Sequence, residues 1–388
     1  MTTLKGMTWR HPRGVDPMIA TSEAWRRKTG IEINWEQRSL QDFESYPIEE
    51  LARNYDLIVI DHPHVGQIAD ENCILPLDQP ERMADIADLA ANSVGLSFPS
   101  YHWRARQWAL PIDAAAQVQA YQANALQGPV SHWKEVLEMA RKGKVLIPMR
   151  APHNLMCFYT LAANLGTPCA SEPGGQIIEP EAGERVIDEL AKLTAHIRPE
   201  CWNMDPIAAL EYLATGEGPE VLIPFTYGYL SYAVEGLKPH RIVFSDIPTL
   251  GHQGPVGSAL GGTGIAVSAF SAHANDAIDY AFWVAGEEVQ KTIFAQSGGQ
   301  PGHAVAWKDE AVNMPVHNFY RNTSATLEGA WVRPRHNGYM SFQAEGSSIL
   351  TSGLQGGYSA NRIIKELNAA YAQNSSVNHH TNNFRQNH

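Results

Sequence analysis

Side chains suited to hydrogen bonding, ion pairing and stacking follow several apolar segments of this chain. They are Trp9, Arg10, His11, Arg13, Asp61, His62, His64, Asp113, Tyr227, Tyr229, Gly261, Gly262 and Thr263. Arginine presents a planar pair of donors to a carboxylate or phosphate, and aspartate accepts hydrogen bonds from hydroxyls or an amine. Tryptophan and tyrosine offer stacking faces, and glycine lets backbone N–H groups come close to a ligand. The set therefore predicts binding of a small polar ligand.

The charged residues at these segment ends are mainly cationic. They are Arg10, His11, Arg13, His62, His64, Arg150 and His153, opposed by Asp61 and Asp113. The whole chain has a net charge of −12, so this local excess does not come from a basic composition. Helix N-termini expected after Gly14, Gly66 and Arg150 would add partial positive charge. The pattern predicts an anionic ligand such as a carboxylic acid or sugar acid, and a neutral sugar is the alternative.

Some of these residues also have a purely structural interpretation. Trp9 at the end of a strand is equally suited to a hydrophobic core. Arg10 or Arg13 would serve as well in an ion pair with a nearby carboxylate. The basic segment Arg333–Arg335 is interpreted as solvated.

Metal and cofactor binding are not predicted. His62 and His64 share a face of an extended chain, but two histidines without a third ligand make a weak metal site. We therefore interpret both histidines as hydrogen-bonding residues. The Gly261–Gly264 segment is interpreted either as a ligand-contacting loop or as a hinge.

Composition places the chain among globular proteins of about two domains. It has 388 residues, of which 44% are hydrophobic and 18% charged. The acidic net charge argues against nucleic acid as a partner, and no apolar run approaches the roughly 18 residues of a membrane-spanning helix. Residues 1–13 contain no apolar core of a signal peptide, so both an exported protein and a cytosolic one stay open. The four cysteines have unrelated spacings and are predicted as free thiols.

The order of apolar segments predicts a doubly wound α/β domain at the start of the chain. The expected strands are Leu4–Trp9, Ile31–Trp35 and Asp56–Ile60. Between the first two, His11–Gly14 is predicted as a turn, and Asp16 is predicted to cap a helix that begins at Pro17 and ends near Lys28. In such sheets ligands bind beyond the carboxyl ends of the strands, which is where the candidate residues lie.

Later segments predict a second α/β domain and a return to the first. Strands are expected at Val145–Pro148, Val221–Phe225 and Ile265–Ser268, with Gly261–Gly264 as the loop that leads into the last. Short helices are expected at Tyr46–Asn54 and elsewhere between strands. A mostly helical segment follows residue 311, and the Asn/His-rich residues 374–388 are predicted to be disordered.

Several ordered motifs together resemble those of the family-1 extracellular solute-binding proteins, the maltose- and sugar-binding type. They are Tyr55–Asp61, Trp108–Pro111, Ser131–Val136, Gly261–Ser268, Ala281–Trp283 and Ser297–Gly302. The resemblance covers about residues 4–370.

The resemblance implies a type II periplasmic-binding-protein-like fold with two doubly wound α/β lobes joined by hinge strands. Residues 1–110 with 260–310 would form the first lobe, 111–259 the second and 311–373 a helical closing segment. Crossings are expected near residues 109–114 and 255–262. Such a protein closes on its ligand by hinge bending and delivers it to an ABC permease. It would act outside the cytoplasm, as a monomer.

Motifs of the common catalytic sites are not found in the sequence. The nucleophile elbow, the phosphate-binding loop, the dinucleotide fingerprint and the H-E-x-x-H zinc motif are all missing. We therefore predict a binding protein that is not an enzyme. A cytosolic ligand sensor or an enzyme built on the same fold is the alternative, because a fold does not determine function.

Overall fold

The computed structural model describes residues 2–39 and 47–376. The chain divides into two compact units. Unit 1 comprises Met1–Ala115 with Gly261–Pro315, and unit 2 comprises Ala116–Leu260 with Val316–His388. The chain therefore passes from one unit to the other three times. Within the described ranges, no helix is both long enough and apolar enough to cross a lipid bilayer.

The strands are β1 Thr3–Trp9, β2 Glu32–Arg38, β3 Leu57–Ile60, β4 His102–Trp103, β5 Arg106–Gln107, β6 Leu110–Gln122, β7 Leu222–Tyr227, β8 Ile242–Ser245 and β9 Leu260–Val267. The α-helices of the first half are α1 Pro12–Thr29, α2 Ile48–Ala52, α3 Val65–Glu71, α4 Met83–Asn92, α5 Ser97–Ser100, α6 Trp133–Arg141, α7 His153–Asn164 and α8 Pro180–Thr194. Those of the second half are α9 Pro206–Thr215, α10 Ala274–Ala285, α11 Glu287–Val289, α12 Ala304–Lys308, α13 Glu310–Asn313, α14 Phe319–Glu328, α15 Tyr339–Gln355 and α16 Ala360–Ser376. Short 3₁₀ turns occur at His62–His64, Pro80–Arg82, Pro199–Asn203, Leu230–Ala233 and Met314–Val316, and a π turn at Gln290–Phe294.

The sheet of unit 1 has the strand order β2-β1-β3-β9. β1 is parallel to β2 and β3, and β9 is antiparallel to β3. All four residues of β3 are buried, and a continuous apolar strand suits such a position. Trp25 of α1 and Tyr280 of α10 belong to the hydrophobic core of this unit.

α1 begins five residues earlier than the sequence analysis predicts, at Pro12 and not at Pro17. His11 is extended and caps the helix, since its Nδ1 accepts a hydrogen bond from the Arg13 backbone N–H at 3.1 Å. Pro12 then occupies the first helical position, which tolerates proline because that backbone N–H would be unpaired in any case. The predicted turn at His11–Gly14 is therefore wrong, and this segment is a helix start. Gly14 consequently lies inside α1, so no helix N-terminus follows it.

β9 includes the glycines that the sequence analysis predicts as a loop. The ladder with β3 places Gly264 opposite Ile60, and the strand already begins at Leu260. Glycine is a poor strand former, so the sequence pattern gave no strand signal here. At Gly264, pairing with Ile60 of β3 supplies the backbone hydrogen bonds of a strand.

Unit 2 is built on β6, which is antiparallel to both β7 and β8. α7 is buried along its whole length and belongs to the same core as α8, α15 and α16. The predicted strand at Val145–Pro148 is only an isolated bridge from Val145 to Leu222.

Two predictions concern parts of the chain that are only partly described. The short helix expected at Tyr46–Asn54 is observed as Ile48–Ala52, and Tyr46 lies outside the described residues. α16 continues to Ser376, three residues into the predicted disordered tail. The rest of that tail, residues 377–388, lies outside the described residues.

Candidate functional site

The end of β3 and the start of β9 bring several candidate residues of unit 1 together. Ile60 lies opposite Gly264 in the last pair of an antiparallel ladder, and Asp61 and Thr263 are the residues next to that pair along the chain. Arg13, Tyr101, Asp113 and Gly262 contact each other or this strand end, as described below. We call these six residues, Arg13, Asp61, Tyr101, Asp113, Gly262 and Thr263, the unit 1 site.

Arg13 and Asp113 form a buried ion pair within unit 1. Nε of Arg13 donates to Oδ2 of Asp113 at 2.9 Å, and Nη2 donates to Oδ1. The two side chains are 6% and 1% exposed. Because Asp113 neutralises Arg13, this arginine does not provide the uncompensated positive charge that the anionic-ligand prediction requires. The pair joins the first turn of α1 to β6.

Gly262 lies directly against Asp113. Its φ of +92° is in the left-handed region, and a Cβ there would overlap the Asp113 carbonyl oxygen. The hydroxyl of Tyr101 donates to the carbonyl oxygens of Ile60 and Gly262, at 3.2 and 3.5 Å. The glycine thus permits a close approach of two backbone segments, which Tyr101 holds together.

Asp61 and His62 form a tight turn directly after β3. The Asp61 carboxylate accepts the His62 backbone N–H at 2.8 Å and lies 3.2 Å from His62 Nδ1. The rings of His62 and Tyr101 meet edge to face, with centroids 6.2 Å apart. His62 and His64 are 0% and 3% exposed, so both rings are packed inside unit 1. The described residues contain no group of three or more His, Cys, Asp or Glu arranged to hold a metal.

Thr263 carries a hydroxyl group that is buried inside the unit 1 site. Its side chain is 6% exposed, and Oγ1 has no hydrogen-bond partner among the described residues. An unsatisfied buried hydroxyl destabilises a fold by about 1–3 kcal/mol, so such a group is a candidate for binding a polar ligand.

The remaining candidates of the first strand end, Trp9, Arg10 and His11, differ in burial and contacts. Trp9 is 4% exposed in the core, where its ring packs so closely on α1 that a Cβ at Gly14 would overlap it. Arg10 is exposed, and its backbone N–H donates to the Arg38 carbonyl. Burial, with a smaller contribution from the Arg13 charge, lowers the pKa of His11 to about 4. His11 is therefore neutral at pH 7 and adds no positive charge.

Unit 2 contains a second group of functional side chains around the start of α7. His153 and Tyr227 meet edge to face with ring centroids 6.1 Å apart. Nη1 of Arg150 lies 3.8 Å from Oδ2 of Asp205. Burial lowers the pKa of His153 to about 4. The charge of Asp205 raises this pKa, and the charges of Arg333 and Arg150 lower it further. We call Arg150, His153, Asp205, Tyr227 and Arg333 the unit 2 site. Tyr229 is 5% exposed and begins a 3₁₀ turn.

Sequence analysis missed three members of these sites, Tyr101, Asp205 and Arg333. Arg333 is 4% exposed, and Nη1 donates to Oε1 of Gln343 at 3.3 Å, so its interpretation as a solvated residue is wrong. Tyr101 follows a segment in which serines alternate with apolar residues, and it has no motif around it. Each of these residues is positioned by contacts with segments distant in sequence, and the hydrophobic periodicity of a sequence does not indicate such contacts.

Comparison with known proteins supports the fold. MalE3 of T. maritima with bound maltose superposes with a TM-score of 0.78 at 15% identity, covering 95% of this chain and 98% of that chain. The α-D-tagatose-bound solute-binding protein of Thermotoga lettingae gives 0.80 at 14% identity, covering 97% and 100%. The ribitol-bound protein of Agrobacterium radiobacter K84 gives 0.76 at 17% identity, covering 96% and 98%. These similarities confirm the predicted two-lobed, periplasmic-binding-protein-like α/β fold.

A sequence profile identifies the family of this chain. No curated protein matches the chain. The sequence profile of the bacterial extracellular solute-binding proteins matches residues 20–319, which is most of the chain, and this confirms the resemblance drawn from the motifs. The chain belongs to the bacterial extracellular solute-binding protein family, whose members serve ABC transporters.

Proposed function

We propose that this protein captures a small polyhydroxylated solute, of the sugar or polyol type, and delivers it unchanged to an ABC permease. The observation that carries the proposal is the cluster of hydrogen-bonding groups where β3 ends and β9 begins. Asp61 supplies an acceptor there, and Thr263 supplies a buried hydroxyl without a partner among the described residues. Hydroxyl groups of a sugar both donate and accept, so they match this pair.

The charges of unit 1 favour a hydroxylated ligand over a strongly anionic one in this unit. Arg13 is paired with Asp113, and the lowered pKa of His11 keeps its ring neutral. The five cationic residues that the sequence analysis places in this part of the chain, Arg10, His11, Arg13, His62 and His64, therefore overstate the positive charge in unit 1. Maltose, tagatose and ribitol, which the structurally similar proteins hold, are all neutral polyhydroxylated compounds.

Finer aspects of the function belong to the same proposal. We propose that the protein is monomeric, acts outside the cytoplasm, binds no nucleic acid and catalyses no reaction. The acidic net charge of −12 supports the absence of nucleic-acid binding. The family, which serves transport, supports binding without chemistry.

Calorimetric titration with neutral sugars and polyols tests the proposal. We expect at least one of maltose, tagatose, ribitol or a related compound to bind. At 100 times its dissociation constant, the ligand should raise the free energy of unfolding by about 2.7 kcal/mol. Mass spectrometry of the ligand recovered after prolonged incubation should show an unaltered mass. A changed mass would point to an enzyme instead.

A variant pair connects the binding to the unit 1 site. Thr263→Val removes the buried hydroxyl while keeping the shape of the side chain, and it should weaken binding about tenfold, the loss expected for one hydrogen bond of about 1.4 kcal/mol. Thr3→Val is the matched control, because Thr3 is exposed on β1 of the same unit. Equal affinity of both variants for the ligand would exclude Thr263 from the binding site.

A further inference from the structure

The hydroxyl of Tyr101 binds the backbone next to both groups that the proposed function assigns to the solute, Asp61 and Thr263. It donates to the carbonyl oxygens of Ile60 and Gly262, at 3.2 and 3.5 Å. Ile60 directly precedes Asp61 in the chain, and Gly262 directly precedes Thr263. The hydroxyl therefore joins the end of β3 to the start of β9 beside both binding groups.

The ring of Tyr101 contacts the residues that follow the same two groups. It meets the ring of His62 edge to face, with centroids 6.2 Å apart. It also lies against the backbone of Gly264, since a Cβ there would come within 2.8 Å of the tyrosine Cζ. His62 follows Asp61, and Gly264 follows Thr263. One side chain thus contacts all four residues that flank the two binding groups.

The backbone of Tyr101 is anchored to segments other than β3 and β9. Its N–H donates to the carbonyl oxygen of Phe98 at 3.2 Å, and its carbonyl oxygen accepts the N–H of Trp108 at 3.1 Å. The residue is 2% exposed, so close packing leaves its ring few alternative positions. Tyr101 is therefore a fixed point against which the ends of both strands are held.

We propose that Tyr101 is a positioning residue for solute binding and that it sets the separation of Asp61 and Thr263 from a buried position. This inference rests on the proposed function, because it concerns the two binding groups named there. Binding groups have to be held within about 0.5 Å of the productive geometry by packing and hydrogen bonds around them. The Thr263 hydroxyl has no partner of its own within the described chain, so the backbone on either side of Thr263 determines where it lies.

Tyr101→Phe tests the role of the hydroxyl, because it removes that group and keeps the ring. The probes are maltose, tagatose and ribitol, each titrated calorimetrically. Binding of a probe that the unaltered protein holds should weaken about fivefold, less than the tenfold expected for loss of the Thr263 hydroxyl itself.

Tyr280→Phe is the matched control. Tyr280 is a fully buried tyrosine of the same unit, and its hydroxyl lies 2.8 Å from Oγ1 of Thr21 on α1. Its loss should lower stability and leave the affinity for the probe unchanged. Urea unfolding of both variants shows that they are folded under the conditions of the titration.

A double variant shows whether Tyr101 acts through Thr263. In Thr263→Val the hydroxyl to be positioned is already missing, so adding Tyr101→Phe should weaken binding by no more than about twofold. That remaining effect is the part that acts through Asp61. A contribution of Tyr101 to stability alone would not produce this dependence of one affinity change on the other.

A second variant pair displaces the ring and keeps the hydroxyl. Gly264→Ala places a Cβ against the ring of Tyr101 and should weaken binding of the probe as Tyr101→Phe does. Gly6→Ala is its control, since the Cβ there would overlap the ring of Trp35 on β2, and it should leave the affinity unchanged. This pair provides the test if Tyr101→Phe does not fold.

The outcomes distinguish this inference from the proposed function. If Tyr101→Phe or, where that variant does not fold, Gly264→Ala binds a probe as tightly as the unaltered protein, the positioning role is wrong and the proposed function stands. The role is equally wrong if Tyr101→Phe weakens binding by the same factor with and without the Thr263 hydroxyl. If neither the three probes nor a related sugar or polyol binds, the proposed function fails, and the inference fails with it.

Discussion

Replacing one partner of the Arg13–Asp113 ion pair should destabilise unit 1 strongly. Both side chains are at least 94% buried, and two hydrogen bonds join them. Asp113→Leu leaves the Arg13 guanidinium buried without its carboxylate, and Arg13→Met leaves the Asp113 carboxylate without its cation. Each change should lower the free energy of unfolding by about 3–5 kcal/mol, the typical loss for a broken buried pair.

The double variant tests whether the loss of stability comes from burying one charge of the pair without the other. Arg13→Met with Asp113→Leu removes both charges together, so neither desolvated charge remains. It should cost about 0–2 kcal/mol, much less than the sum of the two single changes. Urea unfolding followed by circular dichroism, with the slope and the midpoint fitted separately, measures these differences.

The matched control is an ion pair on the surface of the same unit. Arg53 and Glu49 lie 2.7 Å apart with side chains 58% and 43% exposed, so Arg53→Met should cost less than about 1 kcal/mol. The reasoning would be refuted if either single change at Arg13 or Asp113 behaved like this control. It would also be refuted if the double variant lost the full sum of the two single effects.

Three further changes have defined outcomes. Gly262→Ala should lower the melting temperature more than Gly298→Ala, since both have positive φ but only the Cβ at Gly262 would overlap a backbone atom; differential scanning calorimetry compares them. Thr263→Val should raise the free energy of unfolding of the ligand-free protein by about 1 kcal/mol, because it removes an unsatisfied buried hydroxyl; a loss of stability in urea unfolding would show that the hydroxyl is satisfied. The folded-state pKa of His153, about 4, lies below its ordinary value of 6.5, so the folded state binds fewer protons than the unfolded state. The free energy of unfolding therefore falls by about 3 kcal/mol on account of His153 as the pH drops from 6.5 to 4, and it is unaffected by His153 above pH 6.5. His153→Phe should make the decrease of the free energy of unfolding with falling pH shallower. An unchanged dependence of stability on pH would contradict the lowered pKa of His153.

The order and type of the main elements could be predicted from the sequence. The continuous apolar run at Leu57–Ile60 indicated a strand buried on both faces, and the structure places β3 in the middle of the unit 1 sheet. The errors fall where a tertiary contact decides the local structure. Three of the four residues of Gly261–Gly264 are glycines, which are poor strand formers, yet the segment belongs to β9, and Gly264 pairs with Ile60 of β3. His11–Gly14 contains turn residues, yet the capping hydrogen bond of His11 makes it a helix start.

The candidate site was harder to predict because charge depends on partners. The sequence contains Arg13 and Asp113 a hundred positions apart and does not reveal that they neutralise each other. It also counts His11 as a cation, although burial keeps that ring neutral at pH 7. Arg333 was missed for the converse reason, since a basic segment near the end of a chain is usually solvated. The ligand-binding roles assigned to the individual residues stay predictions until binding is measured.

The pairing of β3 with β9 has a consequence for how the protein is made on the ribosome. Ile58 lies opposite Ala266, so one edge of β3 stays without its partner until about two hundred further residues have been synthesised. During that time the nascent chain exposes an apolar strand edge of the kind that chaperones recognise and that promotes aggregation. Unit 1 cannot complete its sheet before most of unit 2 has emerged. A chain shortened before Gly264 should therefore depend on chaperones to remain in solution, whereas the full-length chain can bury the edge of β3 by itself.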